Sequence, residues 1–126
     1  MKEIKDFLKN DRFAAMCGIE LLLVKEGYAE AVMPVSEIHM NANGVMQGGA
    51  LFTLADFTFA AASNSTGPAV GIHADMSFFK PPKGKLVRAV AKKMSQGNRL
   101  GGFTAEVRDE DGELIAMFQA LSYRKR

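Results

Sequence analysis

A single cysteine, no tryptophan, four prolines and two histidines in 126 residues define this sequence first by what it lacks. One cysteine excludes an internal disulfide, and Cys17 lies in the apolar stretch Ala14-Ala15-Met16-Cys17-Gly18, the setting of a small buried hydrophobe rather than a reactive thiol. No uncharged apolar run reaches the ~18 residues that a membrane span needs. With Lys2, Glu3, Lys5 and Asp6 charging the N-terminal segment, no signal peptide is expected either, and the chain reads as soluble and cytoplasmic. There is no strong excess of either charge: 16 basic against 14 acidic residues give +2, which lends no support to generic nucleic-acid binding. His39 and His73 show no His-x-x-x-His spacing, so no metal site is expected. No Gly-x-Ser-x-Gly elbow and no Walker-type or dinucleotide glycine pattern occurs, which disfavours a serine hydrolase and implies neither ATP nor NAD. No internal repeat or low-complexity linker divides the chain, and residues 1–126 read as one domain.

What is present has a clear order. Ile4, Phe7 and Leu8 stand at helical spacing among charges from Met1 to Asn10, a short amphipathic helix. Ile19 to Val24 and Tyr28 to Val35 flank Lys25-Glu26-Gly27 as a first hairpin. From Gln47 to about Ser63, alanine, leucine and phenylalanine without proline predict a helix that is apolar on every side and therefore central. Asn64, Ser65, Gly67 and Pro68 end it, and extended segments follow at Ala69–Lys80, Lys85–Met94, Leu100–Asp109 and Leu114–Arg124. This β-β-α-β-β-β-β order predicts an α+β fold, one buried helix against an antiparallel sheet that curls to cover it. Such a sheet leaves a helix flank and an edge strand uncovered, so at least a homodimer is expected, with the helices near the two-fold axis.

Between Ile38 and Ala74 the one formally charged side chain is Asp56, in the middle of that helix. Burying an unpaired carboxylate is costly, so it is either hydrogen-bonded at an interface or used in chemistry. Asn41-Ala42-Asn43-Gly44-Val45-Met46-Gln47-Gly48-Gly49 runs directly into the helix start, where glycines let a ligand approach unpaired N–H groups at the positive end of the helix dipole. Gly48 and Asp56 are eight positions apart, about 12 Å along a helix, whereas a base and an oxyanion donor must both come within about 3 Å of one reacting carbonyl. One helix cannot supply both to the same substrate. Two antiparallel helices across a two-fold axis can, which predicts two composite sites per dimer.

Asn41-x-x-Gly44-x-x-Gln47-Gly48-Gly49 followed by Leu54-Ala55-Asp56 resembles the Asn-x-x-Gly-x-x-His-Gly-Gly and downstream Asp pattern of hotdog-fold acyl-CoA thioesterases of the phenylacetate-degradation type. The resemblance extends to the order of elements over nearly the whole chain. It implies a curled antiparallel sheet wrapped round one long helix, no cofactor, and hydrolysis of a small, medium-chain or aromatic acyl-CoA by dimers that are commonly paired into tetramers. It further implies that Asp56 is the general base or nucleophile, that the Gly48 amide polarises the thioester carbonyl beside Gly49, and that Asn41 positions the attacking water or the carboxylate. Gln47 departs from the pattern, which usually has histidine; a glutamine amide can donate a hydrogen bond or orient water but cannot titrate near neutrality.

On the strand from Ala69 to Lys80, alternation puts His73 on one face with Gly71, Asp75, Ser77 and Phe79, and Val70, Ile72, Ala74, Met76 and Phe78 on the other; the resemblance places this strand, at the level of His73, near the acyl pocket. Lys80, Lys83 and Lys85 around Pro81-Pro82, Arg99 in a turn, and Arg124-Lys125-Arg126 are candidates to hold the phosphates of coenzyme A. Phe57, Phe59, Met76 and Phe78 are candidates for the acyl surround. Two alternatives stay open at this stage: a hotdog hydratase or dehydratase using His73 with Asp56, and a non-catalytic acyl-CoA-binding protein.

Overall fold

The computed structural model describes residues 2–124. Met1, Lys125 and Arg126, the last two among the phosphate-binding candidates, lie outside them. Two short helices, α1 (Lys2–Leu8) and α2 (Arg12–Cys17), precede the hairpin of β1 (Glu20–Lys25) and β2 (Tyr28–Pro34). A single 3₁₀ turn at Glu37–His39 leads through a loop to α3 (Gly48–Ser63), followed by β3 (Ala69–Phe78), β4 (Leu86–Gln96), β5 (Leu100–Asp109) and β6 (Leu114–Arg124). Among the described residues no helix is long and apolar enough to cross a membrane.

The six strands form one antiparallel sheet in the order β1-β2-β4-β5-β6-β3, so the chain crosses from β2 to the far edge through α3 before filling the middle. A row of paired residues, Ala29–Ala91–Ala105–Phe118–Met76, runs across the face that holds α3. Three alanines in that row open a trough, and Leu51, Leu54, Ala55, Phe59, Ala61 and Ala62 of α3 lie buried along it. Phe52 and Phe59 fix the helix to β5 and β6 by edge-to-face contacts: Phe52–Phe118 and Phe59–Phe103 have centroids 5.3 Å apart. Such pairs contribute about 0.5–1.5 kcal/mol each beyond the area they bury. Phe59 is thus core rather than acyl surround, and Phe57 is buried as well.

As expected of a sheet that covers its helix on one side, a stripe of α3 is open in the single chain, with Gly49 and Asp56 exposed and Thr53 and Ala60 half-buried. These positions recur at helical spacing, so they form one continuous flank. Two sequence-level expectations need correction, and the first is α2, an apolar stretch in the sequence but a helix in the structure. Asp11 caps it, its carboxylate accepting from the Ala14 N–H at 3.0 Å, and Gly18 ends it in the left-handed region at φ 82°. Cys17 there is half-buried, and burial first, then the Asp11 charge, raises its thiol pKa.

The second concerns β3, where strict alternation placed Gly71 on the face of His73. A bulge between Gly71 and His73 breaks strict alternation, so that a Cβ on Gly71 would meet Phe59 of the core, on the side of Ala74 and Met76. Gly71 therefore does not share a face with His73. Beyond the bulge the alternation holds, and His73, Asp75 and Ser77 stand on the outer face.

Candidate active site

The loop that feeds α3 is built by Asn41. Its backbone N–H donates to the Val45 carbonyl at 2.7 Å, its carbonyl accepts from Gly44, and its side-chain Oδ1 accepts from the N–H groups of Asn43 (2.8 Å) and Val45 (3.3 Å). Gly44, at φ 77°, makes the turn that closes this loop, a conformation that favours glycine. Asn41 thus uses its carbonyl oxygen to hold the loop, and only its amide nitrogen is left to face a ligand.

His39 fixes the loop from beneath. It is 3% exposed; its Nδ1 accepts from the Ser36 N–H at 3.2 Å, which assigns the proton to Nε2, and Nε2–H donates to the Cys17 carbonyl at 2.8 Å. Its own carbonyl accepts the Gln47 N–H at 2.6 Å. The end of α2, the 3₁₀ turn and the residue that caps α3 are therefore tied through one residue, the first two by its imidazole and the third by its backbone carbonyl. In sequence His39 was only half of a rejected metal pair, and its buried clamp was not anticipated.

Gln47 caps α3 by backbone geometry alone, and its side chain is exposed. The N–H groups of Ala50 and Leu51 both return to the Gln47 carbonyl, whereas those of Gly48 and Gly49 precede the first helical hydrogen bonds and have no partner among the described residues. The Phe78 ring leans over Gly48: a Cβ there would sit 3.1 Å from its Cζ. Phe78 is the one of the four apolar candidates that stands open beside the helix start, with Met76 half-buried behind it.

Asp56 follows on the open flank of the same helix, about 12 Å along it. In the single chain it is exposed rather than enclosed, and it has no hydrogen-bond partner among the described residues. The protein packed round its carboxyl raises the pKa above the ordinary carboxylate value, and the Asp11 charge across on α2 adds to this.

The remaining candidates do not assemble in one chain. His73 is exposed on the outer face of the sheet with Nε2 3.4 Å from Asp75, on the side away from α3, and the register of β3 beyond its bulge puts it there. It does not meet Asp56, and it does not meet His39. Lys80 is held by Glu113 at 2.6 Å; the hydrogen bond and charge of each raise the lysine pKa and lower that of the glutamate. Lys83 is exposed, with its backbone N–H fixed by Asp109 at 3.0 Å.

Three backbone N–H groups in all, from Lys83, Glu113 and Asp111, hold the Asp109 pKa low. Arg99 sits in the β4–β5 turn, donating to the Tyr123 hydroxyl at 3.2 Å. It is separated from Lys83 by the length of β4, on the order of 30 Å, so these cations of one chain cannot share a phosphate. Arg124 is spent on the end of α3, donating to the Gly67 carbonyl and to Thr66.

Known proteins share this fold and much of this sequence. A family model described as thioesterase superfamily matches residues 43–116, which include the helix-start glycines and Asp56. A protein described as a putative esterase of Archaeoglobus fulgidus is 36% identical over 98% of this chain and 82% of its own length. Acyl-coenzyme A thioesterase PaaI of Escherichia coli is 33% identical over 92% of this chain and 84% of its own. The solved structure of the E. coli PaaI protein from the phenylacetic acid degradation operon superposes with a TM-score of 0.91, at 31% identity, covering 96% of this chain and 89% of that one.

Proposed function

From the premise that this chain belongs to the thioesterase superfamily, has the hotdog fold and is a thioester hydrolase, we propose that it hydrolyses a small, medium-chain or aromatic acyl-CoA at two composite sites per homodimer. The observation that carries this reading is the separation on α3 of unpaired Gly48 and Gly49 amides from an unpartnered Asp56. The open flank of α3 and the unpaired outer edge of β3 support an antiparallel association that brings Asp56 of one subunit beside Gly48 of the other. Exposed Ile72, Met94 and Leu100 on and beside the sheet support a further pairing of dimers into a tetramer. We place the enzyme in the cytoplasm.

In this mechanism the thioester carbonyl oxygen accepts from the Gly48 N–H, with Gly49 beside it, and the Gln47 side-chain amide donates to it or to the water. The Asn41 amide nitrogen orients that water. Asp56 removes the water proton as oxygen attacks the carbonyl carbon; the tetrahedral intermediate collapses, the C–S bond breaks, and the thiolate takes up a proton as it leaves. Lys80 and Lys83 lie nearer the helix start than Arg99 does and are the better placed to meet coenzyme A phosphates. The position of His73 supports hydrolysis over hydration, because the hydratase reading needs that imidazole beside Asp56.

Asp56→Asn is the direct test. It keeps shape and removes the base, and thiol release from a panel of short, medium and aromatic acyl-CoAs should fall to background while circular dichroism stays unchanged. Wild-type rates in that variant overturn the mechanism.

A further inference from the structure

Two grooves flank the first turn of α3, and they differ in chemistry. One, about 600 Å³, lies between α2, the 3₁₀ turn and the helix start, and is lined by Phe13, Met16, Ile38, Ala50 and Thr53 with Gln47 and Gly49 at its inner end. The other, about 360 Å³, lies on the Phe78 side and is walled by Val45, Phe78, Phe79 and Pro81, with Lys80 on its rim. A thioester at the Gly48 amide has two arms to place. The acyl arm offers carbon surface, whereas the coenzyme A arm carries amides and phosphates that need polar and cationic partners.

We infer, resting on the thioesterase reading above, that the larger groove takes the acyl group and that Phe13, Met16 and Ile38 set which acyl groups fit, while the coenzyme A arm leaves past Phe78 towards Lys80. In the single chain these three side chains are 62%, 74% and 74% exposed. That is a cluster of large apolar groups left in water beside the reacting position, and an acyl chain would cover it. The one ionisable side chain that this chain adds to the lining besides Cys17 is His39, whose two ring nitrogens are already satisfied by Ser36 and Cys17, so the chain supplies no cation there to hold a phosphate. The His39 clamp also fixes this wall: it ties the end of α2 to the residue preceding Gly48. The groove and the amide are therefore held in one frame.

Acyl-length profiles test this. Ile38→Trp fills the groove and Phe13→Ala opens it; both alter exposed side chains, and Leu23→Trp on the exposed part of β1 serves as the control. The measured quantity is the ratio of kcat/KM for octanoyl-CoA over acetyl-CoA. Hydrophobic pockets discriminate by roughly 10–200-fold per methylene gained or lost. Ile38→Trp should lower the ratio at least tenfold, Phe13→Ala should raise it or extend it to longer chains, and the control should leave it where it was.

An unchanged ratio in both groove variants, or equal losses for short and long substrates, overturns the assignment. The parallel measurement is binding of S-octyl-CoA, a thioether that cannot be hydrolysed, to Asp56→Asn protein with and without Ile38→Trp. If hydrolysis is absent in wild type but S-octyl-CoA still binds and Ile38→Trp weakens it, the reaction is wrong and the groove assignment stands. If it does not bind, or binds equally to both, the groove assignment falls.

Discussion

Replacing Gly48 by proline would delete one N–H group from the site and almost nothing else. Gly48 is the first residue of α3, where proline is well tolerated because its missing N–H has no helical partner in any case. The residue before a proline must be extended, and Gln47 already is, at φ −61° and ψ 134°. The steric cost is a Cβ that meets Phe78 Cζ at 3.1 Å and Cε1 at 3.2 Å, so an exposed ring has to give by a few tenths of an ångström. Gly48→Ala carries the same Cβ and keeps the amide, and so isolates the hydrogen bond from the crowding.

If this amide stabilises the oxyanion, kcat in Gly48→Pro should fall about 10²–10³-fold below Gly48→Ala, the ~2.7–4 kcal/mol that one such donor supplies, with little change in KM. The assay is steady-state thiol release on both variants after their thermal midpoints are shown to match. Rates for the two variants within about threefold of each other would refute the role of the Gly48 amide. The same variant tests the composite site. Mixed with Asp56→Asn and allowed to exchange subunits at equal amounts, half of the dimers carry one intact site of two, so about a quarter of wild-type activity should return. No recovery after confirmed exchange places the whole site within one chain.

The remaining predictions concern the groups that frame the site. His39→Ala removes hydrogen bonds to Cys17 and Ser36 and leaves a buried carbonyl and amide without partners; the loss should be roughly 2–4 kcal/mol, seen in urea at fixed protein concentration as a lower midpoint with unchanged m. A loss under about 1 kcal/mol would mean that the imidazole clamps nothing. Because burial raises the Asp56 pKa, the acid limb of kcat/KM should lie above the ordinary carboxylate range, and a limb at or below pH 3.8 contradicts Asp56 as the base.

The same shift has a stability consequence of definite sign. The native state holds this proton more tightly than the unfolded chain, so between pH 3.8 and the raised value stability falls as pH rises. Asp56→Asn should therefore be no less stable than wild type at neutral pH, and a lower denaturation midpoint there would count against it.

Much of this molecule was legible because its signals are local and regular. The succession of strands along the chain, the central helix from Gly48 to Ser63 and the hairpin at Gly27 follow from period and breakers, and Gly27 does take the left-handed φ of 67° that such a turn favours. Asp56 was legible for a different reason: one charge in a long uncharged window is visible without coordinates. What the sequence hid depended on one residue or on distant partners. The β3 bulge adds an unpaired position at Ile72, and that one residue turned Gly71 towards Phe59 on the α3 side and broke a face assignment made from strict alternation. The α2 helix has only six residues, too few for apolar period to declare it, although the bracket of Asp11 and Gly18 around Arg12–Cys17 was a readable cap pair.

His39 marks the limit of such reading most clearly. Nothing local separates its imidazole from that of His73: each is a lone histidine in the same uncharged window. One is buried with both nitrogens satisfied by residues 3 and 22 positions away, and the other is in solvent beside Asp75. The difference lies in α2 folding back against the 3₁₀ turn, a tertiary contact to which the clamp itself contributes. That contact also makes the apolar groove, because the clamp holds the end of α2 beside the start of α3. In the proposed mechanism the motif residues Gln47, Gly48 and Asp56 carry the reaction, and under the groove assignment proposed above the selectivity for acyl groups falls to Phe13, Met16 and Ile38, which the motif does not include. Related chains that keep the motif and vary α2 should then share the chemistry and differ in substrate, and grafting a different Arg12–Cys17 segment should move acyl preference without moving the Asp56 acid limb. A graft that shifts the limb but leaves the preference unchanged would reverse that division.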